Sequence, residues 1–170
     1  DYAALGALAD RFRVMAYEFQ GKDAPPGPIA PVWWMRQVIA YTTSVVPRER
    51  VILGIRLYGY DWGGKETPAL WWSDVQALRE RYRGETGFAD RDAHGFVGEN
   101  WMTYKVPPPR HLRCDRHDED CVRNPGEAHV VWYVDAQYVQ ASWNLVRDFQ
   151  LGGIVLWRPG GEDPAIWDIL

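Results

Sequence analysis

VILGIRLYGYDW, Val51–Trp62, is the stretch that decides how this chain folds. Its first half is nearly continuous in apolar and β-branched residues, as in a strand covered on both faces. Its end is aromatic. Two other runs share that form: FRVMAY upstream, Phe12–Tyr17, and GGIVLWRPGGED downstream, Gly152–Asp163. A helical pattern separates the first two runs. A longer, mixed segment ending in a helical pattern separates the second and third. Such an order reads as parallel strands joined by crossovers, with their C-terminal ends opening on one face. In barrels of this kind the chemistry sits at those ends. Tyr17, Tyr58–Trp62 and Trp157 are expected to line that face.

Outward from these runs, residues 1–10 read as the tail of an amphipathic helix with Leu5 and Leu8 on one face. GKDAPPGPIAP is a rigid exit from the first strand, and Pro31 suits the first turn of the next helix. That helix runs to about Val46, with Met35, Val38, Ile39, Thr42, Val45 and Val46 at helical spacing. From about Trp62 to Asp135 the rhythm changes. One helix starts at Ser73 with Gln76 three places on, and Val75, Leu78 and Tyr82 form its apolar face. Strands follow around Phe96–Lys105 and His129–Val134, which predicts a small α+β insertion at the barrel rim. Asp135 caps a helix carrying Tyr138, Ser142, Leu145 and Phe149 along one stripe, and Gly152 and Gly153 lead into the last strand. The expected division is residues 1–62 and 135–170 in a partial barrel and 63–134 in the insertion.

Composition narrows the function. The 170 residues suffice for one domain with a sizeable core, and 46% hydrophobic with 25% charged residues is a globular balance. A net charge of -4 and the lack of a basic stripe argue against nucleic acid as partner. No apolar run reaches the length of a membrane span, and no signal peptide is evident. Ten Trp residues are the outlier. They fit a Trp-heavy core, or a surface on which flat indole faces stack against sugars. Cys114 and Cys121 bracket the polar stretch CDRHDEDC. A disulfide closing a short loop in an oxidising compartment is the preferred reading, because zinc would want closer pairs and more ligands. His94, His111, His117 and His129 have no zinc spacing, and no phosphate loop, redox pair or nucleophile elbow is present. No cofactor and no metal are expected.

Four motifs together resemble glycoside hydrolase family 18. MAYEF looks like the M-x-Y-D element on that family's sixth strand. PGPIAPVWWMRQVIAY followed by PRERVILGIRLYGYDW is similar to the sixth helix and seventh strand of bacterial members, among them spore-cortex and cell-wall lytic N-acetylglucosaminidases. HVVWYVDAQYV and GGIVLWRPGGEDPAIW look like the end of the insertion, the seventh helix and the eighth strand. The resemblance covers nearly the whole chain. It implies the C-terminal part of a (β/α)8 barrel, strands six to eight, with the insertion after strand seven. It also implies cleavage of β-1,4 links in chitin or peptidoglycan by substrate-assisted retention, in which the acetamido oxygen of the substrate attacks the anomeric carbon and a glutamic acid protonates the leaving oxygen. By position, Tyr17 matches the tyrosine that contacts the acetamido group, and Trp157 the floor of the subsite. The alternative for Tyr17 is a core tyrosine with a satisfied hydroxyl. Tyr58, Tyr60, Asp61 and Trp62 fall where the family lines its cleft, with wall or core roles open for each.

Glu18 stands where the family usually has Asp, and its longer side chain carries the carboxylate further out. Arg56 stands where Pro is common, and a barrel-facing Arg would need a carboxylate partner because a lone buried charge is costly. The family's acid lies in D-x-x-D-x-D-x-E at the end of strand four, and the chain has no such motif. Asp115, Asp118 and Asp120 copy the aspartate spacing, but Val122 replaces the glutamate in a wholly polar loop, which reads as a solvated acidic turn rather than a catalytic strand or a calcium loop. Glu162 and Asp163 are candidates to cap the turn that Pro164 begins, or to pair with Arg158. A full barrel needs roughly 250 residues. The expectation is therefore a chain that begins near the fifth helix and is inactive alone. Its edges would be covered by the missing N-terminal half or by a swapped copy. It would belong to a secreted or cell-wall bacterial enzyme. A non-catalytic glycan-binding module is the alternative, and an assembly protein without sugar affinity a third reading.

Overall fold

The computed structural model of the chain describes residues 1–88, 95, 98–108 and 126–170. In chain order the described elements are α1 (Tyr2–Leu8), β1 (Phe12–Met15), α2 (Val32–Val45), β2 (Val51–Arg56), β3 (Tyr58–Trp62), β4 (Ala69–Trp71), α3 (Trp72–Tyr82), β5 (Glu85–Phe88), β6 (Asn100–Val106), β7 (Glu127–Tyr133), α4 (Ala136–Asp148) and β8 (Gly153–Trp157). They form two sheets. One is parallel, in the order β1-β2-β8, and the other antiparallel, in the order β4-β3-β7-β6-β5.

The parallel sheet follows from the strand–crossover–strand order. Val14 pairs with Leu53, and Leu53 with Ile154. These residues therefore share one face, and that face packs against Met35 and Ile39 of α2 and Val139 and Leu145 of α4 in a single core cluster. Each fully buried aliphatic side chain there contributes about 1.5–3 kcal/mol. α2 starts after Pro31 and buries Met35, Ile39 and Thr42, the stripe its spacing predicts. α4 is capped by Asp135, which accepts from the Tyr138 N–H at 3.1 Å, and it buries Tyr138, Ser142 and Leu145.

Several expectations are corrected. Leu5 and Leu8 of α1 are 56% and 87% exposed; the helix docks through Gly6 instead, where a Cβ would lie 2.6 Å from Val46 Cγ2. The run Val51–Trp62 is two strands in two sheets. Pairing is parallel through Arg56 and antiparallel from Tyr58, so the second sheet starts inside the run rather than after Trp62. The fold is therefore α/β with a parallel and an antiparallel sheet. The helix expected at Ser73 starts at Trp72, because Asp74 rather than Gln76 reaches back to the Trp71 N–H, at 2.9 Å. β4 and β5 were not legible as strands. Both are short, and their alternation is weak. The strand expected at Phe96–Lys105 is observed at Asn100–Val106. Cys114 and Cys121, with the disulfide expected between them, lie outside the described residues, as does the acidic loop they bracket. Among the described residues no helix is long and apolar enough to cross a membrane.

Candidate functional site

Because β1 and β8 both run parallel to β2, their C-terminal ends emerge at one edge of the sheet. Arg56 pairs with Trp157, and Met15 with Gly54. Two residues past Met15, Tyr17 returns to the same face. Its ring crosses directly over Gly54: a Cβ there would lie 3.2 Å from Tyr17 Cε1 and 2.8 Å from the Val14 carbonyl oxygen. Tyr17 and Trp157 thus stand at the same rim. Among the described residues no group takes a hydrogen bond from, or gives one to, the Tyr17 hydroxyl.

The second sheet grows out of this rim. Residues alternate along β3, so Tyr58, Tyr60 and Trp62 share a face and Asp61 turns to the other. Tyr17 and Tyr58 meet edge-on, with ring centroids 6.4 Å apart, and Tyr58 and Tyr60 meet at 5.5 Å. The Tyr58 and Tyr60 hydroxyls both donate to Glu18 Oε1, the latter at 2.9 Å. Glu18 has a φ of 69°, a left-handed conformation that is uncommon for a residue with a Cβ. Burial, and then the hydrogen bond to Glu18, push the Tyr60 phenol up to about 12. The Tyr58 phenol rises further for the same reasons, and burial with the Glu18 charge raises that of Tyr17. All three therefore remain neutral donors across the physiological range.

Tyr58, Tyr60, Ala69, Trp71, Trp157 and Arg158 enclose a cavity of about 270 Å³. Trp157 is 56% exposed, so its indole face is open to a ligand. The Arg158 guanidinium lies 5.0 Å over the Trp71 ring, and the Trp71 indole N–H donates to the Arg158 carbonyl at 3.4 Å. The Trp157–Arg158 peptide bond is cis. Trp71 and Arg158 are site residues that the sequence reading missed. The paired tryptophans at 71 and 72 were the available signal, but only the pairing of β4 with β3 brings Trp71 beside Tyr58.

Of the four β3 residues expected at the cleft, with wall or core roles open for each, Asp61 and Trp62 are buried and do not line the cavity. The Asp61 carboxylate is buried on the opposite face of β3, where it accepts from the Tyr104 hydroxyl at 2.5 Å and meets His129 Nδ1 at 2.9 Å. Trp62 is buried against Ile29 and donates to the Ala24 carbonyl at 2.9 Å, so it buttresses the loop after β1. Glu162 does not pair with Arg158. It accepts from the N–H groups of Gly160 and Gly161 at 2.6 and 3.0 Å and from the Trp167 indole at 3.2 Å. The two backbone bonds are the first causes of its lowered pKa. Asp163 caps the turn after Pro164 through the Ala165 N–H. The carboxylate that Arg56 requires is Glu99, a residue in the loop before β6 that no sequence pattern singles out.

Comparison with known proteins fits this arrangement. The chain is 30% identical over 176 residues to the cortical fragment-lytic enzyme of Bacillus subtilis, a match covering 100% of this chain and 36% of that protein. Its structure resembles the chitinase from Chromobacterium violaceum with a TM-score of 0.79 and 31% identity, over 99% of this chain and 47% of that one. It resembles the spore cortex-lytic enzyme SleL of Bacillus cereus with a TM-score of 0.78 and 26% identity, over 99% of this chain and 35% of that one. The chain thus spans between a third and a half of the length of these relatives. The sequence profile described as glycosyl hydrolases family 18 matches residues 1–162, and the chain belongs to that family.

Proposed function

We propose that this chain supplies part of the glycan cleft of a glycosidase that cleaves β-1,4 links next to N-acetylglucosamine by substrate-assisted retention, in chitin or peptidoglycan strands. The observation that carries this reading is the convergence of Tyr17, Tyr58 and Trp157 at one rim of the parallel sheet, beside a cavity walled by rings. Flat apolar faces edged by hydroxyl donors are what a pyranose and its acetamido group require. In this reading Trp157 floors the subsite and Tyr17 donates to the acetamido oxygen, while Tyr58, Tyr60 and Glu18 form the adjoining wall. Asp61 supports that wall from behind and Trp62 from beside Tyr60, neither touching sugar.

β1, β2 and β8 are then strands six, seven and eight of a (β/α)8 barrel, and the antiparallel sheet with α3 is the insertion at its rim. The general acid comes from polypeptide outside this chain, since D-x-x-D-x-D-x-E is not in its sequence. The partner surface is the remaining part of the barrel, or a swapped copy, along the free edges of β1 and β8. The names of the relatives, a cortical fragment-lytic enzyme and a spore cortex-lytic enzyme from Bacillus, support a bacterial glycan substrate outside the cytoplasm.

Titration with N-acetylglucosamine oligomers, wild type against Trp157→Ala, tests the subsite, and a reducing-sugar assay tests the acid. Binding that is lost in Trp157→Ala, without turnover by the chain alone, is the expected result. Turnover would place the acid within residues 1–170. Absence of binding would remove the glycan reading and favour an assembly role.

A further inference from the structure

We infer that Arg158 recognises a carboxylate on the glycan, so that the site takes an amino-sugar polymer bearing acidic side groups in preference to a neutral one. This rests on reading the cavity as a glycan subsite and adds the class of glycan it takes. Arg158 follows the floor residue Trp157 and lines the same cavity. It is held there twice: its guanidinium lies 5.0 Å over the Trp71 ring, and its carbonyl accepts from the Trp71 indole. An aromatic face offers a guanidinium no lone-pair acceptor, so its N–H groups are not used up by the ring.

Neighbouring acids that would neutralise it are engaged elsewhere. Glu162 bonds the Gly160 and Gly161 N–H groups and the Trp167 indole, and Glu18 accepts from Tyr58 and Tyr60. Among the described residues the Arg158 guanidinium has no ion-pair partner. A neutral N-acetyl sugar leaves that charge facing solvent. A carboxylate on an ether side chain of the sugar, as on N-acetylmuramic acid whose carboxyl carries no peptide, meets it as a bidentate acceptor. Rings and cation on one wall thus match a sugar face and an acidic substituent on one ligand.

Calorimetric titration with two glycans of equal length tests this, one built only of N-acetylglucosamine and one alternating with N-acetylmuramic acid. The acidic glycan is expected to bind about fivefold tighter at low salt. The difference should shrink near ~1 M salt, where charges are screened beyond a few ångströms. Arg158→Gln should abolish the difference by weakening the acidic glycan far more than the neutral one, while Arg158→Lys keeps part of it. Equal affinity for the two glycans in the wild type overturns the inference alone, as does equal weakening of both by Arg158→Gln, which would make Arg158 a buttress for Trp71. Binding of neither glycan overturns the subsite itself.

Discussion

Glu99 and Arg56 form an ion pair whose side chains are 1% and 0% exposed, and it joins the two sheets. Arg56 ends β2 and also donates to the Tyr58 carbonyl, across the point where one sheet gives way to the other. Glu99, just before β6, accepts from the N–H groups of Ile29 and Ala30 at 3.0 and 2.6 Å. The Ala30 carbonyl in turn accepts from the Tyr138 hydroxyl of α4 at 2.6 Å. The loop that leaves Tyr17 and Glu18 is thereby tied to both sheets and to the helical layer. Burial raises the Glu99 pKa, against the pull of Arg56 and the two N–H groups.

Removing one member therefore strands the other. Glu99→Leu or Arg56→Met should each lower unfolding stability by about 3–5 kcal/mol. The double variant should cost less than the sum, because no charge is left buried. It should still fall below wild type by about 1–3 kcal/mol for each backbone N–H left without an acceptor at Ile29 and Ala30. Urea denaturation of the four proteins measures this; additive single effects would show that the pair is not coupled.

Gly54 should tolerate no side chain, because the Tyr17 ring and the Val14 carbonyl occupy the space of its Cβ. Gly54→Ala is expected to cost about 1–3 kcal/mol by overpacking. It should also displace Tyr17, weakening N-acetylglucosamine oligomer binding beyond the stability loss. Unchanged affinity in a folded Gly54→Ala protein would separate Tyr17 from the site.

Asp61 separates wall from support. Asp61→Asn removes one of the two acceptors that face Tyr104 and His129, and should destabilise the antiparallel sheet by about 1–3 kcal/mol. Glycan affinity, by contrast, should stay at the wild-type value, since the carboxylate faces away from Tyr58 and Tyr60. A selective loss of affinity at unchanged thermal stability would restore Asp61 to the cleft.

The phenols at the rim make alkaline behaviour diagnostic. A group whose folded pKa is raised contributes stability that is complete below its unfolded value and is lost as pH rises through the folded one. For Tyr60 that window runs from 10.0 to about 12. Ultraviolet titration should show these tyrosinates forming late, together with unfolding. Glu18→Gln should bring the Tyr60 midpoint partway down, since burial, the larger cause, remains. A midpoint unmoved by Glu18→Gln would show that Glu18 does not hold these hydroxyls.

Local signals located the parallel layer well. A strand covered on both faces is apolar throughout, so β2 is legible on its own, and the 3.6-residue stripes of α2 and α4 survive because one side of each must be buried. Asp135 is equally legible, since a cap acts within three residues of itself. The strand order also implied that Tyr17 and Trp157 share an edge.

What the linear pattern could not carry are contacts made between segments far apart in the chain. Glu99 lies 43 positions from Arg56, and nothing near it in the sequence marks a buried acid. Trp71 enters the cavity only because β4 pairs with β3, and Asp61 leaves it only because the chain changes sheets at Leu57 and fixes which face of β3 looks at the rim. The sequence by itself determined the parallel strands, their helices and the end at which the rings gather, because those follow from periodicity and burial within each segment. Tertiary structure alone decided which aromatics wall the cavity and which carboxylate neutralises Arg56, because charge pairing and strand register are settled by neighbours in space.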